Sequence, residues 1–360
     1  MIKKYFKIFL INIIILFFCI EFLSFLLTNI NVLPYGLPSH ITLYAHEDFS
    51  YWHPENSEFK IATKCWQSKV KFNNFGIKSN DDLNISKTKK RIAILGDSMT
   101  QNSQLSNEKD FTAKLQKFLP DYEIINFSIS SVGLADQINI YNKLVKKFNV
   151  DFIFMYVTSN DFSDNHYSEQ RPNRITYKIE NNNIVEINID KSIFFKKYNS
   201  KLNKFKRNYL IYIKKMTYSF KLYHFLKWEY ISYKYKREQS LNKKIKNNNT
   251  EKLFEEKYAV YKYLVEKANN EIFMDVPTMI FMNSDNNSFI RETKEIKAIK
   301  EIYKNYNFYD PRLEFTKYLK DNGILKKPYL GYDCDAHYSS LGAKLLAEFT
   351  YDRFVEFNND

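Results

Sequence analysis

From Lys90 onward, short apolar runs alternate with amphipathic stretches, and this alternation constrains the fold more than any other feature of the chain. Residues 91–95 form a short apolar run that ends at Gly96, the pattern of a buried strand. Residues 111–119 have helical spacing, and residues 122–127 read as a second strand. In residues 134–148, Ile138, Tyr141, Leu144, Val145 and Phe148 share one helical face. Residues 151–157 are a third strand, and residues 174–190 alternate around Asn181, Asn182 and Asn183 as a hairpin does. Further on, the pattern predicts helices over 253–270, 296–303 and 339–357, with strands at 277–282 and 306–309. A β-α-β-α-β order of this kind predicts a parallel sheet covered by helices on both faces. In such sheets, functional sites form at the carboxyl ends of the strands.

Composition narrows the class. Hydrophobic residues make up 44% and charged residues 26% of 360, which suits a globular core and excludes a wholly disordered chain. Three cysteines without a C-x-x-C pair exclude a disulfide scaffold and give no zinc signature. The net charge of +13 would by itself suggest nucleic acid or an anionic surface. Its distribution changes that reading. Residues 192–249 hold 16 Lys and Arg against Glu229 and Glu238, so the remainder of the chain is close to neutral.

Residues 8–27 are mostly Ile, Leu and Phe, and as a helix they would span roughly 30 Å, the thickness of a bilayer core. Lys3, Lys4 and Lys7 precede them, which places the N-terminus in the cytoplasm and the chain after Asn29 outside. No small-residue cleavage site follows, so an uncleaved anchor is expected rather than a signal peptide. The expected organisation is an anchor at 1–30, a turn-rich juxtamembrane linker at 31–69 and one domain at 70–360. Within that domain, a hairpin and a basic insert occupy about 170–250.

Four short segments sit after expected strands or in the last loop. Gly96-Asp97-Ser98 follows the first strand, where a serine is either an exposed nucleophile or a helix cap. Residues 126–133 follow the second strand. Residues 158–161 follow the third and carry Asn160, whose amide suits an oxyanion or a simple turn. Asp333, Asp335 and His337 precede the last helix and offer a base with an orienting acid.

Taken in order, this set resembles the SGNH or GDSL hydrolases over roughly residues 72–357, apart from the insert, and residues 70–77 also resemble the segment before the first strand in membrane-anchored members. The resemblance implies a flavodoxin-like three-layer α/β/α fold. It implies Ser98 as nucleophile, His337 as general base and Asp335 as orienting acid. It further implies an oxyanion hole of the Ser98 and Ser131 N–H groups and the Asn160 amide. The chain departs from the family at three points. Ser131 stands where a glycine is usual, with Gly133 as the alternative donor. The last block reads D-x-H rather than D-x-x-H, which leaves Asp333 as the alternative acid. Asn102 stands where a glycine often follows the nucleophile block. The implied activity is an esterase or acyltransferase acting outside the cytoplasmic membrane on O-acyl (acetyl) groups of a glycan or lipid, with no metal or cofactor. A transferase would need an acyl donor, for which a membrane partner is one source. The competing reading is a catalytically weak SGNH-like module that binds surface polysaccharide or organises an envelope assembly. Nucleic acid is not an expected partner outside the membrane.

Two further expectations follow. Cys65 and Cys334 lie outside the membrane by this topology, either as a bridge or as two unpaired thiols. Residues 208–235 carry Leu210, Ile213, Thr217 and Phe220 on one helical face, with Lys214, Lys215, Lys221 and Lys227 to the sides. That helix is either a solvated cap or a surface for anionic headgroups or an acidic polymer.

Overall fold

The computed structural model describes residues 2–29, 43–46, 48–49, 51–62, 65–169, 174–187, 230, 250–283, 292–324 and 329–359. The basic helix read at 208–235 lies outside the described residues, apart from Tyr230. The elements are α1 (Ile2–Asn29), β1 (Tyr44–Ala45), β2 (Tyr51–Trp52), β3 (Ser57–Ala62), β4 (Gln67–Phe72), β5 (Lys90–Leu95), α2 (Ser98–Gln101), α3 (Phe111–Phe118), β6 (Tyr122–Asn126), α4 (Leu134–Lys143), β7 (Phe152–Val157) and α5 (Asp161–Asp164). They continue with β8 (Thr176–Glu180), β9 (Asn183–Ile187), α6 (Thr250–Ala268), β10 (Thr278–Met282), α7 (Lys294–Tyr303), β11 (Phe308–Tyr309), α8 (Arg312–Asp321) and α9 (Ser340–Asn359).

Five strands form one sheet in the order β11-β10-β7-β5-β6, and every neighbouring pair is parallel. Counted along the chain, this is the 2-1-3-4-5 order of flavodoxin-like folds, and its switch point lies between β5 and β7. The central strands explain their own composition. In β7 (FIFMYV) and β10 (TMIFM), nearly every residue is buried, because helices cover both faces. Ala93, Leu95, Met155, Val157 and Met282 pack on the face covered by α4, α6 and α7. Ile92, Ile94, Phe154, Tyr156 and Phe281 pack on the face covered by α3, α8 and α9. Each of the Ile, Leu, Val, Met and Phe side chains among them contributes about 1.5–3 kcal/mol on full burial.

Several elements differ from the sequence reading. Helix α4 stops at Lys143, and a tighter 3₁₀ turn, Val145–Phe148, completes the stretch. The turn keeps Val145 and Phe148 on the core while the chain bends into β7. Helix α8 was not expected, since its mixed sequence buries only Arg312, Phe315 and Leu319. The antiparallel hairpin β8–β9 matches the alternation read at 174–190 and turns through Asn181 and Asn182 at positive φ.

The segment read as a linker also contains structure. Strands β3 and β4 form an antiparallel hairpin that crosses residue 70. Its exposed–buried alternation over Gln67–Phe72 puts Ser68, Val70 and Phe72 inward, against Ile61 and Trp66. Helix α1 holds the stretch Tyr5–Leu23, which is long and apolar enough to cross a membrane.

Candidate active site

The site is assembled where β5, β6 and β7 end. Strand β5 stops at Leu95, and Gly96 turns the chain into α2. A Cβ on Gly96 would lie 2.4 Å from Thr100 Oγ1, so the tightness of the turn requires glycine. Asp97 caps α2 by accepting the Met99 N–H at 2.9 Å. Ser98 is therefore the first residue of the helix, with its hydroxyl at the rim of the sheet. At the other end of α2, Asn102 adopts the left-handed conformation (φ 50, ψ 50) that a glycine often takes there. Its side chain donates to Tyr338 O at 3.0 Å, which ties α2 to the histidine loop.

His337 Nε2 lies 2.8 Å from Ser98 Oγ, and His337 Nδ1 lies 2.5 Å from Asp335 Oδ1. The same carboxylate oxygen accepts the His337 backbone N–H at 3.0 Å. Asp333 is exposed, and Asp335 is the acid on the imidazole. The second oxygen of Asp335 accepts Trp66 Nε1–H at 2.7 Å. Burial pushes the Asp335 carboxyl up, but hydrogen bonding to His337 and the imidazolium charge outweigh it and hold the group at about 2. The bridge between Cys65 and Cys334 is formed, with the Cα atoms 5.9 Å apart. It joins the residue before Trp66 to the residue before Asp335.

A cavity of about 250 Å³ opens beside Ser98, lined by Asp97, Ser131, Asn160, Asp164, Arg174 and His337 among others. Among the described residues, the Ser98 and Ser131 N–H groups have no protein acceptor. Ser131 sits at φ +69, which is left-handed for a residue with a side chain. Gly133 does not offer its N–H, because Asp136 Oδ2 accepts it at 3.1 Å. The Asn160 amide is engaged on both sides. It donates to Asp164 Oδ2 at 2.8 Å and to Asp97 Oδ2 at 3.2 Å. The longer bond is the one that an incoming oxyanion could replace.

Carboxylates support the site from below. Asp97 is 2% exposed, and burial raises its carboxyl against bonds from Met99, Thr158 and Asn160. Asp161 is raised well above the usual range by burial and by the charges of Asp97 and Asp164, and its Oδ2 accepts the Thr158 N–H at 2.8 Å. Arg174 supplies a cation: its Nη1 pairs with Asp164 Oδ1 at 2.8 Å. Among the described residues, no group of three or more His, Cys, Asp or Glu is arranged to hold a metal.

The structure thus brings together Ser98, Ser131, Asn160, Asp335 and His337; of the alternatives, Gly133 gives its N–H to Asp136 and Asp333 is exposed. It adds Trp66, Asp164 and Arg174, which the sequence reading missed. The alternation of Gln67–Phe72 was a usable signal for the hairpin that carries Trp66. Arg174 had no local signal, since its partners are 10 and 43 residues away.

No family model and no curated protein sequence matches the chain. Solved structures do. A lipase/acylhydrolase from Enterococcus faecalis is 13% identical, over 73% of this chain and 94% of that one, with a TM-score of 0.39. An acetyl xylan esterase is 13% identical over 73% and 98%, with a TM-score of 0.38. An acetylxylan esterase from Geobacillus stearothermophilus, in a catalytic mutant form, is 14% identical over 75% and 96%, with a TM-score of 0.35. Overlaps this loose carry no chemistry across, and the reading of the site rests on its own geometry.

Proposed function

We propose that the chain is a serine esterase or O-acyltransferase of the SGNH/GDSL type. The observation that carries this reading is the unbroken hydrogen-bonded series Asp335–His337–Ser98 at the head of α2, beside an open cavity. His337 takes the proton from Ser98, whose oxygen attacks an ester carbonyl. Asp335, held ionised, fixes the imidazole and stabilises it once it is charged. The Ser98 and Ser131 N–H groups, with the Asn160 amide, receive the oxyanion. The alcohol leaves with the proton from His337, and water or a sugar hydroxyl then takes the acyl group from Ser98. The small cavity suits a short acyl group such as acetyl.

The proposed setting is a single-pass membrane protein with a cytoplasmic N-terminus and the catalytic domain outside, acting on O-acylated glycan or lipid. The lysines before the apolar helix and a bridge that persists in oxidising compartments support this. A catalytically weak module that binds envelope polysaccharide is the second reading. It is favoured by the Asn160 amide, both of whose N–H groups are taken by carboxylates.

The test is fluorophosphonate labelling of the full chain, with Ser98→Ala as control, followed by an acetyl-ester panel with and without glycan acceptors. Labelling at Ser98 with ester turnover is expected. Folded protein that neither labels nor turns over would favour the second reading.

A further inference from the structure

Among the described residues that line the cavity, Arg174 is the one arginine or lysine, and it is 1% exposed. A buried guanidinium is tolerated only on its partners, and here the partners are specific. Nη1 donates to the Asp164 carbonyl at 3.0 Å and pairs with its carboxylate at 2.8 Å. Nε donates to the Ser131 carbonyl at 3.3 Å. One rigid group therefore ties together two segments that follow different strands.

Each partner controls one proposed oxyanion donor. Asp164 Oδ2 accepts from Asn160 Nδ2 at 2.8 Å and so sets the rotation of that amide. Ser131 is held at φ +69, where a side chain is strained and where the usual glycine would not be. Relaxation of that residue toward the common backbone regions would swing its N–H out of the cavity. A hydrogen bond to its carbonyl opposes this. Ser130 is tethered too, since its Oγ donates to Gln101 Oε1 at 2.6 Å, which leaves Ser131 as the hinge between two fixed points.

We propose that Arg174 is a positioning residue for the oxyanion hole, clamping the Ser131 backbone and, through Asp164, the Asn160 amide on one wall of the cavity. This rests on the esterase reading above. Arg174 touches neither the nucleophile nor the base. Its effect falls on the transition state, where the oxyanion is formed, and much less on the bound ester. Lysine would keep a charge for Asp164 but lacks the planar fork that reaches Ser131 at the same time.

The experiment compares the full-length wild type with Arg174→Lys and Arg174→Gln on 4-nitrophenyl acetate. Rates are normalised to the Ser98 sites titrated at end point with fluorophosphonate, so lost fold is not read as lost turnover. For Arg174→Lys, kcat should fall roughly 10–100-fold while KM stays within about twofold. Adding Ser131→Gly, which tolerates the left-handed conformation, should restore part of that loss. An unchanged normalised kcat, or a rise in KM without a fall in kcat, would overturn the clamp. A wild type with neither label nor turnover would overturn the esterase reading and this inference with it. Wild-type turnover that Arg174→Lys leaves intact would overturn this inference alone.

Discussion

Breaking the Cys65–Cys334 bridge is expected to lower both stability and turnover. The bridge closes a loop of 269 residues. The chain-entropy argument puts the effect of such a closure on the unfolded state at about 5–6 kcal/mol, and native bridges deliver somewhat less, about 2–5 kcal/mol. At about 2 cal/mol/K of unfolding entropy per residue, each kcal/mol moves the melting midpoint of a chain this long by roughly 1–2 °C. The midpoint should therefore drop by roughly 3–7 °C. Turnover should suffer separately, because the bridge flanks the 2.7 Å bond between Trp66 and Asp335. A looser acid orients the imidazole less well, and kcat should fall several-fold. Thiol labelling of the native protein should rise from one site, Cys19, to three on reduction. Melting and ester turnover are then measured on the reduced protein and on Cys65→Ser/Cys334→Ser. Three reactive thiols with an unchanged midpoint and an unchanged kcat would refute the reasoning.

Asn160→Ala should lower kcat by roughly 10²–10³, and retention of full activity would remove Asn160 from the oxyanion site. Asp335→Ala should be clearly worse than Asp333→Ala, since of the two acids Asp335 is the one bonded to the imidazole; the reverse order would move the orienting role to Asp333. Asp335 is held at about 2, below the ordinary unfolded value of about 3.9, so its contribution to stability is present above pH ~4 and lost as pH falls toward 2. Trp66→Phe removes one bond that holds that carboxyl down and should narrow this window, read as a shallower acid limb in urea melts between pH 5 and 2. An acid limb identical to wild type would show that the indole N–H does not matter to the carboxylate.

The parts of the fold that showed in the sequence are those where burial alone decides the residue type. Strands β7 and β10 are covered on both faces, so they read as unbroken apolar runs. Ser98, Asn160 and His337 could be placed because each sits immediately after a strand or before the last helix, where topology brings strand ends together. What did not show is what depends on partners distant in sequence. Trp66 and Asp335 are 269 residues apart, and only the neighbouring cysteines, Cys65 and Cys334, hint that the two meet. Helix α8 escaped because a short helix with three inward residues leaves little periodicity. The choice between Ser131 and Gly133 turned on one hydrogen bond, from the Gly133 N–H to Asp136, that composition does not reveal.

Covalently, the bridge turns the chain from Cys65 to Cys334 into a ring with two tails: the apolar N-terminal stretch on one side and the last helix on the other. One peptide bond cut anywhere inside the ring opens it without releasing a fragment. The lysine-rich stretch 192–249 lies inside that ring and offers trypsin many sites. A molecule nicked once there would run as a single species without reductant and as two with it, and the piece carrying His337 would stay bonded to the piece carrying Ser98 and the N-terminal stretch. After a single nick in that stretch, the two halves of the site remain one covalent molecule.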